Sequence, residues 1–170
     1  MTPTCYHGAR LGNGGYRIIA HQRETGERYP LPHIVRHSPR GFAWGYVGSA
    51  PADLARSLLI DVLGPAARCP LCNGTGYVAW TGGDDTEPYD RGLHHDLEPA
   101  AITECICTDG RRNLPYLRFE YEQVARWGDH WSITRAEVLR WLVRAYGERT
   151  PGWLLEVIGV VTVELPELPT

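Results

Sequence analysis

The sequence contains no lysine; all seventeen of its basic side chains are arginine. That absence removes the phosphate-binding lysine of a P-loop, the lysine of a Schiff base and the ATP-binding lysine of a kinase. Most nucleotide hydrolases and every lysine-linked pyridoxal enzyme are thereby excluded, whatever codon usage produced the bias. Long apolar runs are missing too. No segment approaches the roughly 18 apolar residues of a membrane-spanning helix, and MTPTCYHGARLGNGG has no apolar core of a secretory signal. The expectation is a cytoplasmic protein with neither leader nor membrane partner, whose five cysteines serve as metal ligands or free thiols rather than disulfides. Catalytic signatures are absent as well: there is no H-E-x-x-H, no nucleophile elbow and no G-x-G-x-x-G following a strand.

What is present describes a globular chain. At 170 residues, 43% hydrophobic and 22% charged, it has the composition of one domain with a small inserted module. A chain of this length buries roughly 70% of the surface exposed when unfolded, so it needs no staples. Charge is unevenly placed. Residues 1–68 carry net +4, residues 69–107 net −6 and residues 108–170 net −1. An acidic middle between more balanced flanks predicts one domain built from 1–68 and 108–170, interrupted by an insertion at 69–107.

The insertion holds the strongest chemical signal. Cys69-Pro70-Leu71-Cys72-Asn73-Gly74-Thr75-Gly76 places two thiols three positions apart on a tight turn, with glycines that let backbone N–H groups face sulfur. Cys105-Ile106-Cys107 supplies the second pair at a shorter spacing. Cys69, Cys72, Cys105 and Cys107 are therefore the expected ligands of a structural Zn2+, with His94 or His95 as replacements for one of the later pair. An iron–sulfur cluster or unmetallated thiols are the alternatives. The segment C-P-L-C-N-G-T-G resembles one repeat of the cysteine-rich region of J-domain chaperones, and zinc-ribbon halves generally. A single repeat implies no chaperone activity. Four thiolates close a coordination sphere, which argues against hydrolysis, and net −6 argues against a nucleic-acid finger.

The flanks read as strands followed by helices, an α+β fold with a small antiparallel sheet packed against about three helices. Gly15–Gln22 is a strand with Ile18 and Ala20 opposite Ile19, returning through Arg28–Leu31 as a hairpin. Phe42, Trp44 and Tyr46 alternate with small residues, which predicts a short aromatic strand. A helix then starts at Ser49 as N-cap, with Pro51 and Asp53 in its first turn, buries Leu54, Leu58, Leu59 and Val62, and stops at Gly64-Pro65. Residues 115–127 predict a second helix. Thr134 with Glu137 predicts a capping box opening a third, which ends at Gly147. For 151–165, Thr150-Pro151 would suit a short helix, but the β-branched run favours a final strand.

His33, His37 and Ser38, and near the start Cys5 and His7, are the residues that could carry catalysis; spacing alone assembles no base and acid around them, and each reads first as a turn or packing residue. Arg111 and Arg112, with Arg135, Arg140 and Arg144 on the third helix, form a basic set that could meet nucleic acid. Pro30-Leu31-Pro32 and the pattern His37-Ser38-Pro39-x-Gly41-Phe42-x-Trp44-Gly45-Tyr46-x-Gly48-Ser49-x-Pro51-Ala52-x-Leu54-Ala55 resemble a family of small bacterial and phage proteins known only as a domain of unknown function. That resemblance implies a phage or mobile-element setting and no established activity. Together these features predict a non-enzymatic zinc-binding accessory protein that meets a protein partner, with nucleic-acid association as the alternative and a small enzyme third.

Overall fold

The segment SAPADLARSLLIDVL forms helix α1, Ser49–Leu63, with twelve of its fifteen residues buried. A computed structural model describes residues 5–12, 14–22, 25–80, 101–107 and 109–162. The chain divides into two compact units, Met1–Ala67 with Leu114–Thr170, and Arg68–Asn113. The first unit combines an antiparallel sheet with helices, so the fold is α+β. Its strands are β1 (Cys5–Arg10), β2 (Tyr16–His21) and β3 (Arg28–Pro30), joined by β6 (His130–Thr134) in the order β3-β2-β1-β6. Its helices are α1, α2 (Tyr116–Glu122), α3 (Arg135–Tyr146) and α4 (Gly152–Thr162).

The hairpin of β2 and β3 forms as its sequence predicts, with Ile18 and Ala20 buried and Ile19 on the other face. Between β2 and β6 lies β1, a strand that CYHGAR does not advertise. Its Gly8 pairs with Trp131 of β6, and a Cβ at Gly8 would overlap the Trp131 indole. The glycine is there to seat that ring.

The aromatic stretch is not a strand. Residues 41–44 are irregular and 45–48 bend, with Gly45 at φ 86°. Alternation misleads here because the three rings do different jobs. Trp44 is fully buried and donates its indole N–H to Gly128 O at 2.6 Å; Phe42 is half-buried; Tyr46 is exposed. From Trp44, edge-on contacts run to Tyr16 at 4.7 Å and to Trp131 at 5.7 Å, and Trp131 stacks on Trp127 at 4.0 Å. The loop is thus pinned by the buried Trp44 and by scattered hydrogen bonds, Gly45 N to Val124 O at 3.1 Å and Gly48 N to Glu120 Oε1 at 2.6 Å, rather than by a strand ladder.

The capping box of α3 forms as expected: Thr134 N donates to Glu137 Oε2 at 2.7 Å and Glu137 N to Thr134 Oγ1 at 3.2 Å. Helix α1 differs at its start, where Gly48 holds the cap position and no side chain caps it. The second predicted helix is cut short at Glu122 and continues as a 3-10 turn, Val124–Arg126. The tail corrects the expected final strand, since Gly152–Thr162 is helical. Trp153, Leu154, Val157 and Ile158 fall on one helical stripe, with Leu154 fully buried and the others packed against the core. Tertiary burial of that stripe overrides the strand propensity of its β-branched residues.

Helix α1 is buried nearly all round, so its polar residues need partners inside the protein. Asp53, Ser57 and Asp61 recur every four positions and form a polar seam. Asp53 accepts the backbone N–H groups of Arg36, His37 and Ser38 at 2.9 to 3.2 Å. Ser57 Oγ accepts Ile34 N at 3.0 Å, and Asp61 Oδ2 accepts the hydroxyls of Tyr6 and Tyr29 at 2.8 and 3.0 Å. Burial raises the Asp61 pKa and outweighs both tyrosine hydrogen bonds. For Asp53 burial pushes upward as well, but the three amides prevail and hold the carboxyl below its usual 3.8.

Replacing Asp53 by Asn would turn a donor toward amide donors and should cost about 2–3 kcal/mol at pH 7, measured by urea unfolding. A depressed native pKa contributes stability above pH 3.8 that is lost as pH falls through the native value. The difference between wild type and Asp53→Asn should therefore shrink below pH 3.8.

Candidate metal centre

The second unit is built around a two-stranded antiparallel sheet of β4 (Tyr77–Trp80) and β5 (Ala101–Glu104), paired from Tyr77↔Glu104 to Trp80↔Ala101. That register brings the start of β4 beside the end of β5, and Cys105 N donates to Gly76 O at 2.8 Å. The first cysteine pair precedes β4 on a turn closed by Thr75. Its N–H donates to Cys72 O at 3.0 Å and its hydroxyl lies 2.8 Å from the same carbonyl. Asn73 and Gly74 pass through left-handed backbone at φ 48° and 89°, which turns the Gly76 N–H onto Cys72 Sγ at 3.3 Å. The outer ends are tied as well. Arg68 and Arg111 form an antiparallel bridge, and Cys69 N donates to Gly110 O at 2.8 Å.

This framework gathers Cys69, Cys72, Cys105 and Cys107. Their sulfurs all lie within 4.8 Å of one another, with Cys69–Cys105 at 3.9 Å and Cys72–Cys107 at 3.5 Å. A tetrahedral metal–thiolate centre with bonds of about 2.3 Å separates its sulfurs by about 3.8 Å. Three of the four cysteines are buried and Cys107 is half-buried. The group could therefore hold a metal ion. His94 and His95, the expected substitutes, lie outside the described residues.

The thiols are unequally acidic. Backbone N–H groups, led by that of Cys72, lower the Cys69 pKa. At Cys72 burial acts upward, but the Gly76 N–H and the neighbouring sulfurs bring the thiol down to about 6. At Cys105 the Cys107 backbone hydrogen bond acts downward; burial and the three other sulfurs overcome it and push the thiol up to about 12. Burial also raises Cys107. A metal takes all four sulfurs as thiolates, so filling the site displaces protons.

Residues 6–71 match a family of unknown function, DUF6166. The DUF6166 match spans β1 to α1, including the Trp44 loop and the Asp53 seam, and reaches the first cysteine loop. It supports an uncharacterised domain family and names no activity. No curated protein and no solved structure matches the chain.

The basic residues are not brought together within one unit. Arg111 and Arg112 belong to the second unit, whereas Arg135, Arg140 and Arg144 lie on α3 in the first. Arg135 Nε donates to Val62 O at 3.2 Å and Arg140 Nε to Ala136 O at 3.3 Å. Arg140 and Arg144 border a cavity of about 370 Å³ with Trp127, Trp141 and Gln123. His33 Nε2 lies 3.4 Å from Asp53 Oδ2, and His37 Nε2 lies 2.8 Å from the Tyr116 hydroxyl. Asp53 takes the backbone amides of His37 and Ser38, which makes it the anchor of that loop.

Sequence spacing identified the sulfurs but missed Gly110. Its backbone sits at φ 75°, and a Cβ there would overlap the Gly74 carbonyl, with the carbonyl carbon at 2.6 Å. Gly110→Ala should strain the cysteine turn by about 1–3 kcal/mol. Affinity of the four-cysteine group for added divalent metal, measured by competition with a chelator, should fall about tenfold to a hundredfold.

Proposed function

We propose that this is a non-enzymatic, zinc-stabilised binding protein whose second unit is folded around one Zn2+ and meets a protein partner. The observation that carries the reading is the gathering of four sulfurs within 4.8 Å of one another, two pairs at 3.5 and 3.9 Å, on a framework closed by backbone hydrogen bonds. Four thiolates suit zinc or an iron–sulfur cluster, and sulfurs all within 4.8 Å of one another suit a single ion, which favours zinc. Such a sphere has no place for water or substrate, so the metal supplies folding energy rather than catalysis.

The partner surface in this reading is the apolar tip of each cysteine loop. Leu71, between Cys69 and Cys72, is 64% exposed, and Ile106, between Cys105 and Cys107, is 88% exposed. Large apolar side chains held out by a rigid metal loop suit a protein contact. A phage or mobile-element setting, which the family resemblance implies, and a cytoplasmic location belong to the same proposal. No helix among the described residues is long and apolar enough to cross a membrane. Nucleic-acid association through Arg140 and Arg144 is the second reading, supported by the arginines and tryptophans that border one cavity. A salt-dependent gel shift lost in Arg140→Ala and Arg144→Ala would replace the first reading with it.

The purified protein should hold one tightly bound zinc per chain, lost from Cys69→Ser and Cys72→Ser and released more easily as pH falls, because protons compete with the metal for the thiolates. Chelation should abolish hydrogen-exchange protection in β4 and β5. A metal-free chain with those amides still protected refutes the zinc reading. The partner reading fails if Leu71→Ser with Ile106→Ser recovers the same proteins as wild type.

A further inference from the structure

Cys5 presents a contradiction. It alternates with the buried Tyr6 along β1, so its side chain is on the sheet face opposite the core, yet the residue is only 4% exposed. Two imidazoles lie against its thiol. Cys5 Sγ lies 3.3 Å from His7 Nε2 and 3.8 Å from His21 Nδ1, and the ligand atoms of all three residues fall within 4.8 Å of one another. The register explains the meeting: Cys5 sits directly opposite His21 across the β1–β2 pair, and His7 is two positions along the same strand.

We propose that Cys5, His7 and His21 form a second metal site, which binds one divalent ion of the zinc class. With bonds of about 2.3 Å to sulfur and about 2.0 Å to nitrogen, a tetrahedral centre sets sulfur and nitrogen about 3.5 Å apart. The two observed separations lie on either side of that value, so small rotations of the rings complete the geometry. A thiolate with two imidazoles is a donor set for zinc, cobalt or copper and not for magnesium or calcium. Neighbouring strands hold the donors, so little order has to be created on binding. Among the described residues no fourth histidine, cysteine or carboxylate joins the group. Water or an external ligand takes the remaining position, as in metal sites that exchange ligands. A thiolate ligand at Cys5 gives up the thiol proton on binding, and the sulfur also lies 3.7 Å from the His21 carbonyl oxygen.

The test is a Co2+ titration of the full chain, followed by absorbance and by metal analysis. Wild type should take up a second, exchangeable equivalent with the charge-transfer band of a single thiolate. Cys5→Ser should lose that band, and His7→Ala and His21→Ala, at the more accessible positions, should lose the second equivalent while the tightly held one remains. Cys69→Ser with Cys72→Ser should show the reverse, so failure of either site is read separately. The proposal is overturned if wild type takes up no exchangeable equivalent, or if the uptake survives all three substitutions in the sheet.

Discussion

A helix buried on nearly every side cannot carry carboxylates unless the surrounding chain supplies their hydrogen bonds. That constraint organises the first unit. The seam of Asp53, Ser57 and Asp61 runs the length of α1, and its three members claim different parts of the structure. Asp53 holds three consecutive amides of a segment with no regular hydrogen bonding of its own. Ser57 extends the hold to Ile34, and Asp61 reaches the sheet through Tyr6 of β1 and Tyr29 of β3. An unpaired buried polar group costs about 1–3 kcal/mol, so each link depends on the other elements being in place. The apolar residues of α1 drive collapse, and the seam decides how loop and sheet are arranged around it.

The parts of this fold legible in the sequence are those decided locally. Thr134 and Glu137 form a capping box from side chains three residues apart, and Gly64-Pro65 ends α1 where it falls. The illegible parts depend on distant residues. Gly8 makes sense only once Trp131 lies across it, and β6 is recognisable only once β1 offers it an edge. In the tail, Val157, Ile158 and their neighbours carry strand propensity, whereas the spacing of Leu154, Val157 and Ile158 is helical; packing decides between them in favour of the helix. The Trp44 stretch failed for another reason. Its alternation is real in the sequence but does not correspond to alternating burial, because glycines at 41 and 45 turn the backbone out of a strand.

The candidate site divides along the same line. Two cysteines three apart, with glycines after them, form a local motif visible without coordinates. How sulfurs separated by more than thirty residues come within bonding geometry depends on the β4–β5 register and on the contact of Gly110 with Gly74. Cys5 and His7 were seen as near neighbours in sequence. His21 joins them only through strand pairing, and no spacing rule links residues 5 and 21.

The bridge between Arg68 and Arg111 has a consequence for the history of the chain. It fastens Arg68, the first residue of the cysteine unit, beside Arg111, two residues before its end, so the two ends of the segment lie together. A segment closed in this way holds its own ends at a fixed spacing, whatever length of chain lies between the two cysteine pairs. The seam of α1 and the sulfurs of the cysteine unit also draw on separate sets of residues. Selection can therefore alter the one without relaxing the other, and relatives could differ greatly at these loops while keeping the same helix and sheet.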